Sequence, residues 1–212
     1  MPTDTFFNLS ESKRERIIDA ALREFADNPF DSASIANIVD EAEIPRGSFY
    51  QYFDDLMDLY RYLLTSCIAE EKMPYLQGVV DEEDDALTTI RRLYSAGIQF
   101  AKDHPRMATL GTNFLREDRE FQQEAMGQMA DASRQFLAGI LQKGQRKGQI
   151  DPNVDIQMAA FAVDSLSNGL MEQYIEQQPD EVDNVFTDGD DYLQLVDKMF
   201  YIIRNGLANY QE

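Results

Sequence analysis

A chain of 212 residues with 43% apolar side chains is long enough for one large domain or for a small domain joined to a larger one, and no apolar run approaches the roughly 18 residues that a membrane span needs. Nineteen basic against 39 acidic residues give a net charge of −20, which opposes nonspecific attraction to nucleic acid or to an anionic membrane surface. One Cys excludes an internal disulfide, and one His without an HExxH, GxSxG or phosphate-cradling glycine motif leaves too few groups for the usual zinc, nucleophile and nucleotide sites. A soluble, cytoplasmic protein that is not an enzyme and carries no metal or cofactor is expected.

In chain order, MPTDTFFNLSESK lacks the basic start and apolar stretch of a secretory signal. Ser12 with Glu15 reads as a capping box for a first helix, stapled by Leu9 or Phe7, and Ile17, Ile18, Ala21, Leu22 and Phe25 form its apolar stripe up to Asn28-Pro29. Lys13, Arg14 and Arg16 crowd its first turn, where the helix dipole favours acids. A solvated face and a phosphate-contacting one both stay open for them.

The stretch from Ser34 to Phe53 holds two short helical patterns separated by about three residues. Ile35, Ile38, Val39 and Ala42 share one face, Ser32 or Ser34 can cap it, and Pro45 suits the first turn of the next helix. Two short helices joined by a tight turn are a helix-turn-helix, whose second helix enters a DNA major groove. Residues 1–60 nevertheless carry five basic against thirteen acidic side chains, a local balance of −8.

Beyond Phe53 the pattern stays helical. An apolar face from Leu56 to Cys67 forms a fourth helix; Pro74 and the acidic run Asp81–Asp85 read as a loop and a change of module, with a domain boundary near residue 60. Further helices carry Leu87 to Phe100, stopping at His104-Pro105, then Met107 to Leu115 in a short one, and then run from about Phe121 to Lys147. The turn GQIDPNVD precedes a helix from Ile156 to Tyr174, an acidic loop spans Asp180 to Asp191, and a last helix follows from Tyr192 to Leu207. An all-α protein follows, with a helix-turn-helix domain at 1–60 and a helical bundle at 61–212. The last two helices are apolar on more than one side, so Phe161, Leu166, Leu195, Met199, Phe200 and Ile203 are assigned to the interface of a homodimer.

His104 before Pro105 reads as a helix-end cation rather than a base, Cys67 as a small core residue, and the acidic loops as solvated, since they lack calcium-loop spacing. The methionines are core residues or the lining of an adaptable pocket. For a pocket the candidates are Met107, Leu110, Phe114, Met126, Met129, Leu166, Leu170 and Tyr174.

Residues 13–64 resemble the DNA-binding domain of the TetR (TetR/AcrR) family of transcriptional regulators, through Ser34, Ile38, Ala42, Ile44, Gly47, Ser48, Phe49, Tyr50, Tyr52 and Phe53. The later helices are similar to that family's ligand-binding and dimerisation domain. The resemblance implies phosphate contacts for Ser34, Tyr50 and Tyr52 and base contacts for Arg46, Ser48 and Gln51, with Gly47 matching the motif and Phe49 and Phe53 as core anchors. Leu56 stands where the family usually has Lys, Glu43 where the turn often has Gly, and Val39 where Ala is usual. With few cations left to displace counterions, binding is expected to be weak. The expected function is that of a dimeric repressor released from operator DNA by a small apolar or amphipathic effector; the alternative keeps the fold, has lost DNA binding and acts through a protein partner. In the dimer the two recognition helices must stand about 34–36 Å apart to meet successive major grooves.

Overall fold

The computed structural model describes residues 1–81, 83–126, 128–177, 186 and 189–206, and among them every regular element is a helix. They are α1 (Asp4–Phe7), α2 (Glu11–Asp27), α3 (Ile35–Glu41), α4 (Arg46–Tyr52), α5 (Leu56–Tyr62), α6 (Ile68–Leu76), α7 (Ala86–Asp103), α8 (Pro105–Arg116), α9 (Arg119–Met126), α10 (Gln128–Arg146), α11 (Ile156–Glu176) and α12 (Asp190–Asn205). The chain forms two compact units, one from residues 1–72 and 104–127 and the other from 73–103 and 128–212. A single cut near residue 60 does not describe this division, because α8 and α9 complete the core of the N-terminal unit.

In that first unit Ile17, Ala21 and Phe25 of α2, Ile38 of α3, Phe49 and Phe53 at α4, and Leu59, Tyr60 and Leu63 pack with Leu110 and Phe114 of α8 and Ala125 of α9. An aromatic cluster of Phe25, Phe30, Tyr60 and Phe121 joins α2, α5 and α9. Polar side chains take up backbone carbonyls: Asn113 Nδ2 donates to those of Phe25 and Ala26 at 3.1 and 3.2 Å, and Arg61 donates to those of Glu124 and Ala125. The Phe25 and Ala26 carbonyls lie in the last turn of α2, where no intrahelical donor remains.

Two local expectations do not hold. The helix assigned to Ser12–Glu15 begins at Glu11, with Ser10 at its N-cap and no side-chain cap bond, so Ser12 and Glu15 are exposed helical residues and not a capping box. Upstream, α1 inserts Phe6, fully buried, among Tyr52, Phe53 and Tyr62. Pro74 lies inside α6 rather than in a loop. Between α5 and α6, Leu63–Cys67 form a π-helical turn in which the Thr65 hydroxyl donates to the Arg61 carbonyl at 2.8 Å. A side chain that takes up a ladder carbonyl is a known cause of such widening. The helix expected over Phe121–Lys147 is helical on both sides of residue 127, with Arg119–Met126 in the first unit and Gln128–Arg146 in the second.

In the second unit α10 packs on α7 and α11, and α12 on α7 and α11. Gly144 permits a close approach of α10 to α7, since a Cβ there would stand 2.8 Å from that of Ala86. Asp155 caps α11 by accepting from Gln157 and Met158 N–H, which ends the GQIDPNVD turn. Arg91 and Asp197 join α7 to α12 through two N–H···O bonds of 2.5 and 3.0 Å. Most of the acidic loop expected over Asp180–Asp191, and Leu207, lie outside the described residues.

Candidate nucleic-acid interface

α3 ends in a Schellman turn that aims the next helix. The Ile44 N–H bonds the Val39 carbonyl at 3.0 Å and the Glu43 N–H that of Asp40 at 3.2 Å, while Val39 and Ile44 are both buried. This motif requires a left-handed residue at its hinge, and Glu43 adopts it with φ +53°. Glu43 is thus a non-glycine residue in a glycine position. α4 then starts at Arg46, one residue after the expected Pro45.

α4 is sorted sharply by face. Phe49 and Phe53 are fully buried and anchor the helix, while Arg46, Gly47, Tyr50 and Gln51 are exposed and Ser48 is half-buried. Nothing lies within 4 Å of a Cβ built on Gly47, so its open side is free for close approach. The two tyrosines differ: Tyr50 is 57% exposed, whereas the Tyr52 ring is 3% exposed, and Lys13 Nζ donates to its hydroxyl at 3.1 Å.

Ser34 is the N-cap of α3, its Oγ accepting from the Ala36 N–H at 3.2 Å, which leaves its own O–H to donate. Its backbone N–H is spent on Glu24 Oε1 at 2.7 Å, and both Glu24 oxygens accept from Asn37 Nδ2. Glu24 is 8% exposed. Sequence reasoning missed it, although the signal was present: a carboxylate seven residues after Ile17 and three after Ala21 sits on the apolar stripe, where a charge must be paired.

The acidic balance acts through specific pairs. Arg16 meets Glu43 at 3.4 Å and Arg23 meets Glu41 at 2.5 Å, so two of the five cations in residues 1–60 face carboxylates of the helix-turn-helix itself. Arg14 donates to the Phe7 carbonyl. Leu56, in the place of the expected cation, is half-buried against the core.

The expected pocket residues are distributed over both units. Leu110 and Phe114 belong to the first unit's core, with Met107 and Met126 packed against it. Leu166, 49% exposed, half-buried Leu170 and buried Tyr174 lie on α11 of the second unit, where Tyr174 packs with Phe186 and Tyr192. The Met129 side chain lies outside the described residues. The second unit also has an open groove of about 280 Å³ between α7 and α12, lined by Leu87, Thr88, Arg91, Asp197, Phe200, Tyr201, Arg204 and Asn205. Of the expected interface residues, Phe161 is 52% exposed like Leu166, Leu195 and Ile203 are half-buried, and Met199 and Phe200 are buried within the subunit's own core.

The family model for bacterial regulatory proteins of the tetR family matches residues 17–63, which span α2 to the start of the π turn. A solved structure of a TetR family transcriptional regulator from Chloroflexus aurantiacus J-10-FL is 32% identical, with a TM-score of 0.67 over 97% of this chain and 98% of that one. This chain belongs to the TetR family of transcriptional regulators. It is also similar to the "Probable acrEF/envCD operon repressor" of Escherichia coli K12, 23% identical over 81% of this chain and 84% of that protein. The fold of the Bacillus subtilis transcriptional regulator FadR in complex with stearoyl-CoA matches with a TM-score of 0.70 at 19% identity, over 92% of this chain and 99% of that one. TetR-family membership makes α3 and α4 a DNA-binding helix-turn-helix and the protein a regulator rather than an enzyme. No helix among the described residues is long and apolar enough to cross a membrane.

Proposed function

We propose that this TetR-family protein is a homodimeric repressor that reads operator DNA with α4 and releases it on binding a small apolar or amphipathic effector. The observation that carries the DNA assignment is the division of α4: Phe49 and Phe53 fix the helix while Arg46, Tyr50 and Gln51 stand exposed beside Ser48. Arg46, Ser48 and Gln51 read base edges, Arg favouring guanine and Gln adenine. Tyr50, Tyr52 and the Ser34 hydroxyl hold phosphates and set the register, and Gly47 lets the backbone come close. Dimerisation is supported by the exposed apolar residues Met158, Phe161 and Leu166 on α11 and Tyr201 and Ile202 on α12, which a second copy would cover. Met107 and Met126, packed against the first unit's core, have the reach and polarisability to adapt to a ligand.

The test is a gel shift against DNA from upstream of the protein's own and neighbouring genes, with Arg46→Ala and Tyr50→Phe. Both should weaken binding; indifference to both changes rules out α4 as the reading helix. Because similar folds include a FadR bound to stearoyl-CoA, long-chain acyl-CoA is the first effector to add to the preformed complex. Retention of DNA at saturating acyl-CoA rejects that effector class.

A second reading is favoured by the Arg16–Glu43 and Arg23–Glu41 pairs: a TetR-like protein that has lost DNA binding and acts through a protein partner. A heparin or calf-thymus DNA column at low salt separates the two, since electrostatic help is greatest there.

A further inference from the structure

We propose that Lys13, braced on Tyr52, is the backbone-phosphate cation of this helix-turn-helix, in place of the lysine that the family usually carries where this chain has Leu56. The inference rests on the DNA-binding reading above and deepens it by one residue. Three cations crowd the start of α2, and the structure separates them. Arg16 is engaged by the Glu43 carboxylate, and Arg14 points its guanidinium at the Phe7 carbonyl. Among the described residues Lys13 is paired with no carboxylate, and it alone of the three bonds a residue of α4.

The bond is of an unusual kind for a lysine. The ammonium donates to the Tyr52 hydroxyl at 3.1 Å, at the hydroxyl edge of the ring. A neutral phenol orients the charge without cancelling it. The ammonium has three N–H groups and spends one, and the Tyr52 oxygen accepts that bond while keeping its own proton. Donors therefore remain on both groups, side by side, and two adjacent donors with one net positive charge suit the paired oxygens of a phosphodiester.

The platform is held in place. The Tyr52 ring packs against fully buried Phe6, the Thr3 N–H bonds the Tyr52 carbonyl at 2.9 Å, and the Thr3 hydroxyl bonds that of Gln51 at 2.6 Å. The last turn of α4 is thus pinned by the segment before α2, and α2 supplies the cation. With Tyr52 3% exposed, it offers no more than its hydroxyl, beside the Lys13 ammonium that it positions.

The test uses full-length protein, a labelled duplex from upstream of its own gene and a random-sequence duplex, with binding measured by anisotropy from low to high salt. For Lys13→Met the slope of log K against log salt should fall by about one per bound subunit, equally on both duplexes, while Lys13→Arg keeps the wild-type slope. Lys13→Gln, with thermal melting of each variant, separates this from misfolding: a merely structural Lys13 would lower the melting temperature and leave the slope alone. An unchanged slope in Lys13→Met and Lys13→Gln, with wild-type protein bound, overturns the assignment of Lys13 and spares the repressor reading. Failure of wild-type protein to bind either duplex at low salt overturns both.

Discussion

Glu43 occupies the left-handed hinge between α3 and α4 and turns its carboxylate toward Arg16, 3.4 Å away. One residue therefore carries both a backbone strain and an electrostatic restraint at the centre of the DNA-binding unit. A side chain in this conformation costs roughly 1 kcal/mol relative to Gly. Glu43→Gly should stabilise the protein by about that amount, a rise of about 2–4 °C in melting temperature for a protein of this size. It should also release Arg16 and remove a negative charge, so DNA affinity should rise and the salt dependence steepen. Calorimetry and anisotropy on the same variant check both halves; higher stability with unchanged DNA affinity would mean that Arg16 never reaches phosphate.

Asn113 finishes α2 from a distance of 87 and 88 residues in sequence. Asn113→Leu removes both donors from the Phe25 and Ala26 carbonyls and should destabilise the protein by about 1–2 kcal/mol. The expected reading is a lower urea midpoint with an unchanged m-value. No shift in midpoint would show that solvent satisfies these carbonyls equally well.

Asp197 has its carboxyl held below the ordinary value of 3.8 by the hydrogen bond from Arg91. A lowered folded-state value means that the stabilisation is complete above 3.8 and is lost as pH falls through the folded value. Asp197→Asn should therefore melt below wild type near neutral pH, and the gap should close as pH falls below about 4. The pair is half-exposed, so the same gap should shrink in high salt. A gap that persists unchanged at the acid end would assign the effect to packing rather than charge.

Cys67 faces the interior of the first unit, where burial pushes its thiol up to about 11 from an ordinary value of 9.0. At pH 8 it is a neutral, covered thiol, so Ellman's reagent should find it unreactive in folded protein and fully reactive in urea. Rapid labelling under native conditions would reveal an opening of the π-helical turn that ends at Cys67.

Much of the local architecture is written in the chain itself. The spacing of Ile17, Ala21 and Phe25 builds α2, the Ser34 cap and the apolar Ile38–Val39 pair build α3, and Phe49 and Phe53 can serve only as anchors once α4 is helical, because 3.6-residue periodicity assigns each residue to a face without reference to anything distant. The exposed set Arg46, Tyr50 and Gln51 follows from the same periodicity. What only the tertiary structure decided depends on partners far away in sequence: that Glu24 is buried under Ser34 and Asn37, that Asn113 closes α2, that α8 and α9 join the N-terminal unit, and that Tyr52 is a covered platform for Lys13 while Tyr50 is free. A burial face is a local property; the identity of what covers it is not, because hydrogen bonds and ion pairs form between groups whose separation in sequence carries no periodic signal. The net charge shows the difference most plainly. Composition counts Arg16 and Arg23 as cations available to DNA, and the fold places each beside a carboxylate.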